Sequence, residues 1–519
     1  MPSEIREERT LPSYRALLGF RFQDSIEIYL AFAAILTLLV AFVFYFLQSV
    51  NWRLVHDAPL MHYIAWRILS GDVPYKDIFD INLPGSYVIH MFVLLLFGHG
   101  DLAWRLFDIA WLILSVASIW IFLRSFGFPA KLVASLSFST YHLLGNPMSM
   151  GQRDFLLCPL LLLAFHFAAN YIENRTNNVK ALFLSGFFLG CAISIKPYPL
   201  LLLFLFLVMC MKRSAGHSIS GPDALKYLIA GASIVPLMIF LWLVFCRAVP
   251  SMLVIFTQYV IPIYSKVGRV NTSGLLKSLW TEHIGIFLNF AKLLLLPLLF
   301  LMYRLKQLSI RLILLIAGLI YGILHFLIQG KGWWYHQYPA VWFLIIFTAC
   351  ALDCILLYKK RIFRIAASAC LILISLSAAK DAFMSMDADY SQLHPLAHSL
   401  INDLRARSLQ QGDLIQVLDT TEGGIEALYR LRIRQPTRFI YDFQFFHEID
   451  NPIIKKLRME FMDALVNHTP RFIVVFHNSW PRQLNGLQRF SSFPEFNSFL
   501  SKEFVADVVR NGYTIHKKK

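Results

Sequence analysis

Acidic residues are scarce in this chain. Asp and Glu number 32 against 48 Lys and Arg, and together these four types make up only 15% of 519 residues. So small a charged fraction argues against an ordinary soluble enzyme. The N-terminus carries Arg6, Glu7, Glu8 and Arg9 and lacks the short apolar core and small-residue cleavage site of a removable signal peptide. The first apolar run, about Ile28 to Leu47, is therefore expected to remain as an anchor. Cysteine is sparse as well. Cys158, Cys191, Cys210, Cys246, Cys350, Cys354 and Cys370 all lie in or beside apolar runs and none in the polar tail, which excludes a disulfide framework. Repeats and low-complexity tracts are absent. What is plentiful is apolar surface: 57% of residues are hydrophobic and 15% aromatic, with a mean hydropathy of +0.56. The net charge of +16 does not point to nucleic acid, because the bases fall in loops between apolar runs, where the positive-inside rule puts them.

The apolar runs predict membrane-spanning helices at roughly 28–48, 103–123, 131–146, 155–171, 180–195, 198–211, 226–246, 284–302, 312–328, 338–357 and 362–379. Each approaches or exceeds the length needed to cross a ~30 Å hydrocarbon core. The stretch 85–98, bounded by Pro84 and by Gly98 and Gly100, is short and reads as interfacial. If it does not span, the basic loops (Arg124 and Lys131; Arg175 and Lys180; Lys212, Arg213 and Lys226; Arg304, Lys306 and Arg311; Lys359, Lys360, Arg361 and Arg364) share one side with the N-terminus. If it spans, every later loop inverts and the rule fails repeatedly. The expectation is a polytopic α-helical membrane protein with about eleven spans. A cytoplasmic segment 1–27 precedes a membrane domain 28–379, whose first outer loop covers 49–102. A soluble, extracytoplasmic α/β domain follows over 380–519. In that tail, "GDLIQVLD" and "RFIVVF" read as strands, and "EGGIEALYRL" and "NPIIKKLRMEFMDALV" as helices.

This topology gathers acids, bases and aromatics on the outer face. The first outer loop supplies Asp57, Asp72, Asp77 and Asp80. "NPMSMGQRDF" supplies Arg153 and Asp154, the turn after 195 supplies Lys196 and Tyr198, and "QGKGWWYHQYP" supplies Lys331, Trp333, Trp334, Tyr335 and His336. Carboxylates can activate a hydroxyl or hold a metal, cations can neutralise phosphate, and rings can stack on a sugar. Each also has a plain structural reading. Asp57 could be a helix cap, Asp77 and Asp80 turn residues, and Asp72 a solvated acid. Trp333 to Tyr335 could be an aromatic belt, His336 an interfacial histidine, and Arg153 simply the partner of Asp154. Asp154, at the mouth of an apolar span, is the hardest to dismiss.

The stretch "HDAPLMHYIAWRILSGDVPYKDIFDINLPGSYVIH" (56–90) resembles the first outer loop of the GT-C superfamily of polytopic glycosyltransferases, close to bacterial relatives of the protein O-mannosyltransferases and the lipid A aminoarabinose transferase. The matching features are Asp57 after the first span, the "G..PY.D" stretch (Gly71, Pro74, Tyr75, Asp77), Pro84 leading a second juxtamembrane helix, and Arg105 opening the next span. Asp154 matches a second acid at the start of a later span. The chain departs from the common pattern in a lone Asp57 flanked by His56 and in Leu83-Pro84 where a double proline is usual. The resemblance implies a polyprenyl-phosphate sugar donor in a bacterial inner membrane and inverting transfer to a lipid, glycan or protein. Asp57 would be the general base. Asp154 would orient a reactant or join Asp57 at Mg²⁺ or Mn²⁺. Arg153, Lys196 and Lys331 would meet phosphate, and Tyr75, Asp77, Asp80, Trp333, Trp334, Tyr335 and His336 would bind substrate. A transporter or flippase of a lipid-linked saccharide is the alternative, and it predicts repeats and charges at mid-depth.

Overall fold

The computed structural model describes residues 26–173, 178–212, 221–281, 289–304, 308–356, 360–385, 394–410, 412–420, 422–478, 480 and 486–519. Nearly all of the N-terminal segment and the loop residues Arg175, Arg213, Lys306 and Lys359 lie outside them, as do the first residues of the expected span 284–302.

Every predicted span is a helix. In chain order the first part contains α1 (Ile26–Ser49), α2 (Asp57–Leu69), α3 (Pro84–Leu96), α4 (Asp101–Phe122), α5 (Phe128–Leu144), α6 (Arg153–Glu173), α7 (Val179–Ile195) and α8 (Leu200–Lys212). Then come α9 (Gly221–Phe245), α10 (Val249–Val254), α11 (Thr272–Thr281), α12 (Phe290–Arg304), α13 (Ile310–Gln329), α14 (Tyr338–Leu356) and α15 (Arg361–Met384). Among the described residues, seven helices are long and apolar enough to cross a membrane: α1, α4, α6, α9, α13, α15, and α14 with the turn before it. Segment 85–98 forms the short α3, begun by Pro84 at its first turn, where the missing N–H costs nothing. Between the spans expected at 226–246 and 284–302, α10 continues into a π-type helix, Ile255–Tyr264.

α6 and α14 are buried on all sides, whereas α1, α9 and α13 expose rows of Leu, Ile and Phe. A helix apolar on every face belongs in the middle of a bundle. Close approaches fix the packing around the site. A Cβ on Gly85 would collide with the Ser194 carbonyl, so α3 lies directly against the end of α7. Gly151 has a φ of 57°, a Cβ there would enter the Trp104 ring, and its N–H reaches Asp108 Oδ1 at 3.1 Å. Glycine serves at such a point because it alone has neither Cβ nor left-handed strain.

The tail folds as the expected α/β unit: α16 (Pro395–Arg405), β1 (Ile415–Leu418), α17 (Gly424–Leu431), α18 (Pro452–Asn467), β2 (Phe472–Phe476), α19 (Pro494–Glu503), β3 (Phe504–Val509) and β4 (Tyr513–Lys518). The sheet order is β1-β2-β4-β3, with β1 parallel to β2 and the other pairs antiparallel. The unit is locked to the 49–102 segment. Arg430 grips Asp101 with two nitrogens at 2.7 and 3.1 Å, Arg434 meets Asp72 at 3.2 Å, and the Phe79 N–H donates to the Arg438 carbonyl at 2.7 Å.

Gly85→Ala is expected to push α3 off α7, cost about 1–3 kcal/mol and disturb the turn holding Lys196. Thermal unfolding in detergent checks this; an unchanged Tm contradicts the close packing.

Candidate functional site

A cavity of about 620 Å³ lies where α2, α6, the α7–α8 turn, the π-type helix and the 328–336 segment converge under the tail. A volume of this order holds a sugar-sized group. Asp57, Arg153, Lys196, Lys331, Trp333, Trp334, Tyr335 and His336 all line it, drawn from four separate stretches of sequence.

Asp57 opens α2 after His56, a non-glycine residue with a φ of 59°. That conformation is costly and is often retained where function needs it. His56 Nδ1 lies 3.1 Å from Asp57 Oδ1, and an Arg153 guanidinium nitrogen 3.5 Å from Oδ2. Burial pushes the Asp57 carboxyl up, but His56, Arg153 and His336 outweigh it and hold it below the usual carboxylate range. Asp57 is therefore ionised and able to accept a proton.

Asp154 does not pair with Arg153, its neighbour in sequence. It turns inward, fully buried, where Lys196 Nζ donates to Oδ2 at 2.7 Å and His325 Nε2 to Oδ1 at 2.5 Å, with Gln329 Nε2 at 3.3 Å. Lys196 also donates to Gln329 Oε1 at 2.6 Å, and Tyr321 OH lies 3.2 Å from His325 Nδ1. Successive residues of a helix point in different directions, which separates Arg153 and Asp154 into two roles. The pair Asp57 and Asp154 does not suit a divalent cation. Each carboxylate is already met by a cation, Arg153 or Lys196, and among the described residues no cluster of three His, Cys, Asp or Glu has a metal-holding arrangement.

Lys196 closes α7 in extended conformation, and the following Pro197-Tyr198-Pro199 turn aims it back at the cavity. Burial draws its ammonium down to about 8, helped by Arg153 and opposed by Asp154. Burial beside Arg269 also draws Lys331 to about 8. Lys331 is committed differently from expectation. Its ammonium caps the carbonyls of Tyr264, Ser265 and Val267 at the end of the π-type helix. Trp333 packs on Tyr335, His336 and Trp480, which makes these rings a cavity wall. His336 is buried, and among the described residues its Nδ1 has no hydrogen-bond partner.

Tyr75, Asp77 and Asp80 do not reach the cavity. Tyr75 OH donates to the Asn82 carbonyl at 2.7 Å, Asp77 accepts the Val73 N–H at 2.8 Å, and the buried Asp80 accepts from Tyr87, Tyr441 and Asn82. They shape the loop that presents Ile81, Asn82 and Leu83 to the cavity. Asp72 is no solvated acid, because Arg67 holds it at 2.6 Å. Sequence reading passed over Arg269, Tyr264, Gln329 and His325, and the tail residues Thr420, Tyr441 and Trp480. Tyr321, His325 and Gln329 recur every four residues, a polar row on one face of α13 that could have been noticed.

A family model described as dolichyl-phosphate-mannose-protein mannosyltransferase matches residues 83–265. The structure is similar to that of ArnT from Cupriavidus metallidurans bound to undecaprenyl phosphate, with 13% identity, a TM-score of 0.58, and 93% of this chain and 97% of that one covered. The apo ArnT structure matches at 12% identity with the same score and coverage. The oligosaccharyltransferase of Archaeoglobus fulgidus, tethered to an acceptor peptide, matches at 12% identity and a TM-score of 0.52, covering 88% of this chain and 69% of that one. The chain carries the GT-C glycosyltransferase fold. No curated protein matches it in sequence.

Raising the pH through about 8 should neutralise Lys196, because its folded value is depressed to that level. Binding of a phosphate-bearing polyprenyl lipid should then weaken between pH 7 and pH 9. Lys196→Arg, whose guanidinium does not titrate there, should flatten the profile. Equal pH dependence in both proteins would remove Lys196 from phosphate contact.

Proposed function

We propose that the protein is a glycosyltransferase that moves a sugar from a polyprenyl-phosphate donor to a hydroxyl-bearing acceptor at the outer face of a bacterial inner membrane. On this reading all eleven predicted helices cross the bilayer, the N-terminus is cytoplasmic, and the α/β tail is extracytoplasmic. The observation that carries the proposal is the convergence of Asp57, Arg153 and Lys196 on one cavity walled by Trp333, Trp334 and Tyr335.

Asp57 acts as general base. It takes the acceptor's hydroxyl proton while the oxygen attacks the anomeric carbon from the face opposite the phosphate. The bond from that carbon to the phosphate oxygen breaks, both its electrons stay with the leaving phosphate, and the centre inverts. Arg153 and Lys196 meet the growing charge, and a dry site magnifies their effect. Arg153 links the two events. Drawn toward the lipid phosphate, it loosens its 3.5 Å hold on Asp57 and lets the carboxylate become a stronger base. Asp154 is a positioning residue that aims Lys196. A transporter would place its charges at mid-depth; here Asp57, Arg153, Lys196 and Lys331 sit at helix ends.

Purified protein, a panel of polyprenyl-phosphate sugars and a crude membrane extract test this, with release of free polyprenyl phosphate as the readout. Asp57→Asn should lower the rate by about 10²-fold or more with donor binding kept. Asp154→Asn should chiefly raise the donor KM. Equal release by wild type and Asp57→Asn overturns the role of Asp57. Saturable donor binding with no release for any donor favours the transporter.

A further inference from the structure

A second cavity, about 450 Å³, shares no lining residue with the first. His99 and Gly100, which join α3 to α4, form one part of the lining, and one face of α16 with the end of α17 forms the rest. Tyr429 of α17, which lines this cavity, packs on the His62 ring of α2, with centroids 5.6 Å apart.

The lining contains three arginines and two histidines but no carboxylate. Arg430 is already committed to Asp101 at 2.7 Å and Glu426 at 2.9 Å. Arg405 and Arg432 are not so committed, since among the described residues neither forms an ion pair with a carboxylate. Arg432 sits at a φ of 57° with its guanidinium carbon over the rings of Tyr429, 4.6 Å from the centroid, and Trp66, 5.6 Å from the centroid. A guanidinium held over aromatic rings keeps several N–H donors with which it can fork onto an oxyanion. The two helices joined by His99 and Gly100 also carry exposed apolar side chains: Phe92, Leu95 and Leu96 of α3 and Leu102 and Leu106 of α4. A basic hollow at the joint of two helices that expose Leu and Phe matches one chemistry: a phosphate held at headgroup depth with acyl chains below it.

We propose that this hollow binds the phosphate of an anionic lipid headgroup, separately from the sugar-donor cavity, and that this lipid clamps α16 and α17 of the tail against the α3–α4 corner. The proposal needs the chain to sit in a membrane but does not depend on glycosyl transfer.

The test uses full-length protein in phosphatidylcholine nanodiscs with and without phosphatidylglycerol. Phosphatidylglycerol should raise Tm, and the native mass spectrum should show it retained. Arg405→Gln with Arg432→Gln should weaken that binding about thirtyfold, from roughly a fivefold factor per basic side chain. The charge-preserving double Lys variant should recover most of it, and Asp57→Asn should behave as wild type. A parallel arm adds inorganic phosphate to phosphatidylcholine nanodiscs. Protection by inorganic phosphate with none from phosphatidylglycerol overturns the lipid as ligand. Retention by wild type no better than for phosphatidylcholine, or equal retention by the double Gln variant, overturns the site itself.

Discussion

The structure around the cavity turns on one buried ion pair, Asp154 with Lys196 at 2.7 Å. Two charges withdrawn from water are tolerated only when their remaining hydrogen-bonding capacity is met. His325 and Gln329 do this from α13, so a single carboxylate ties α6, the end of α7 and α13 together. Removing one partner leaves an unpaired buried charge, with a cost of about 3–5 kcal/mol. The pair fixes the Lys196 ammonium at the cavity edge. It also turns Asp154 away from the cavity, so that Asp57 is left there with Arg153.

A second constraint is the seam between the 49–102 segment and the tail. Asp72, Asp80 and Asp101 are spent on Arg434, Tyr441 and Arg430, and the backbone of Phe79 joins that of Arg438. The acids that crowd the first loop thus serve mainly to seat the tail. Of these acids, Asp57 alone lines the cavity. The tail in return supplies Thr420, Tyr441 and Trp480 to the cavity wall, so the site is incomplete without it. This gives the C-terminal unit a physical role although its sequence carries no catalytic motif.

The helices were legible because a long apolar run has few other ways to satisfy its backbone in lipid. Asp57, Arg153, Lys196 and the Trp333–His336 run were legible because charge and aromatic rings beside such runs are costly to place without reason. Tyr75, Asp77 and Asp80, read as substrate-binding, do not line the cavity. Their local setting resembles that of Asp57, and the partner that distinguishes Asp80, Tyr441, lies far off in sequence. The role of Asp154 was hidden for the same reason, since His325 and Gln329 sit inside a helix read only as a span. In the tail, β1 and β2 were visible as compact apolar runs. β3 and β4 were not, because β3 is largely exposed and β4 ends in Lys517 and Lys518.

Whether Asp57, Arg153 and Lys196 form one reaction centre for a lipid-linked sugar is tested most directly by a structure with a polyprenyl phosphate bound. Phosphate density should lie within hydrogen-bond reach of both Arg153 and Lys196, with Arg153 moved away from Asp57 and the polyprenyl chain leaving along the membrane. Phosphate seated elsewhere, with the Arg153–Asp57 pair intact, would contradict a shared centre.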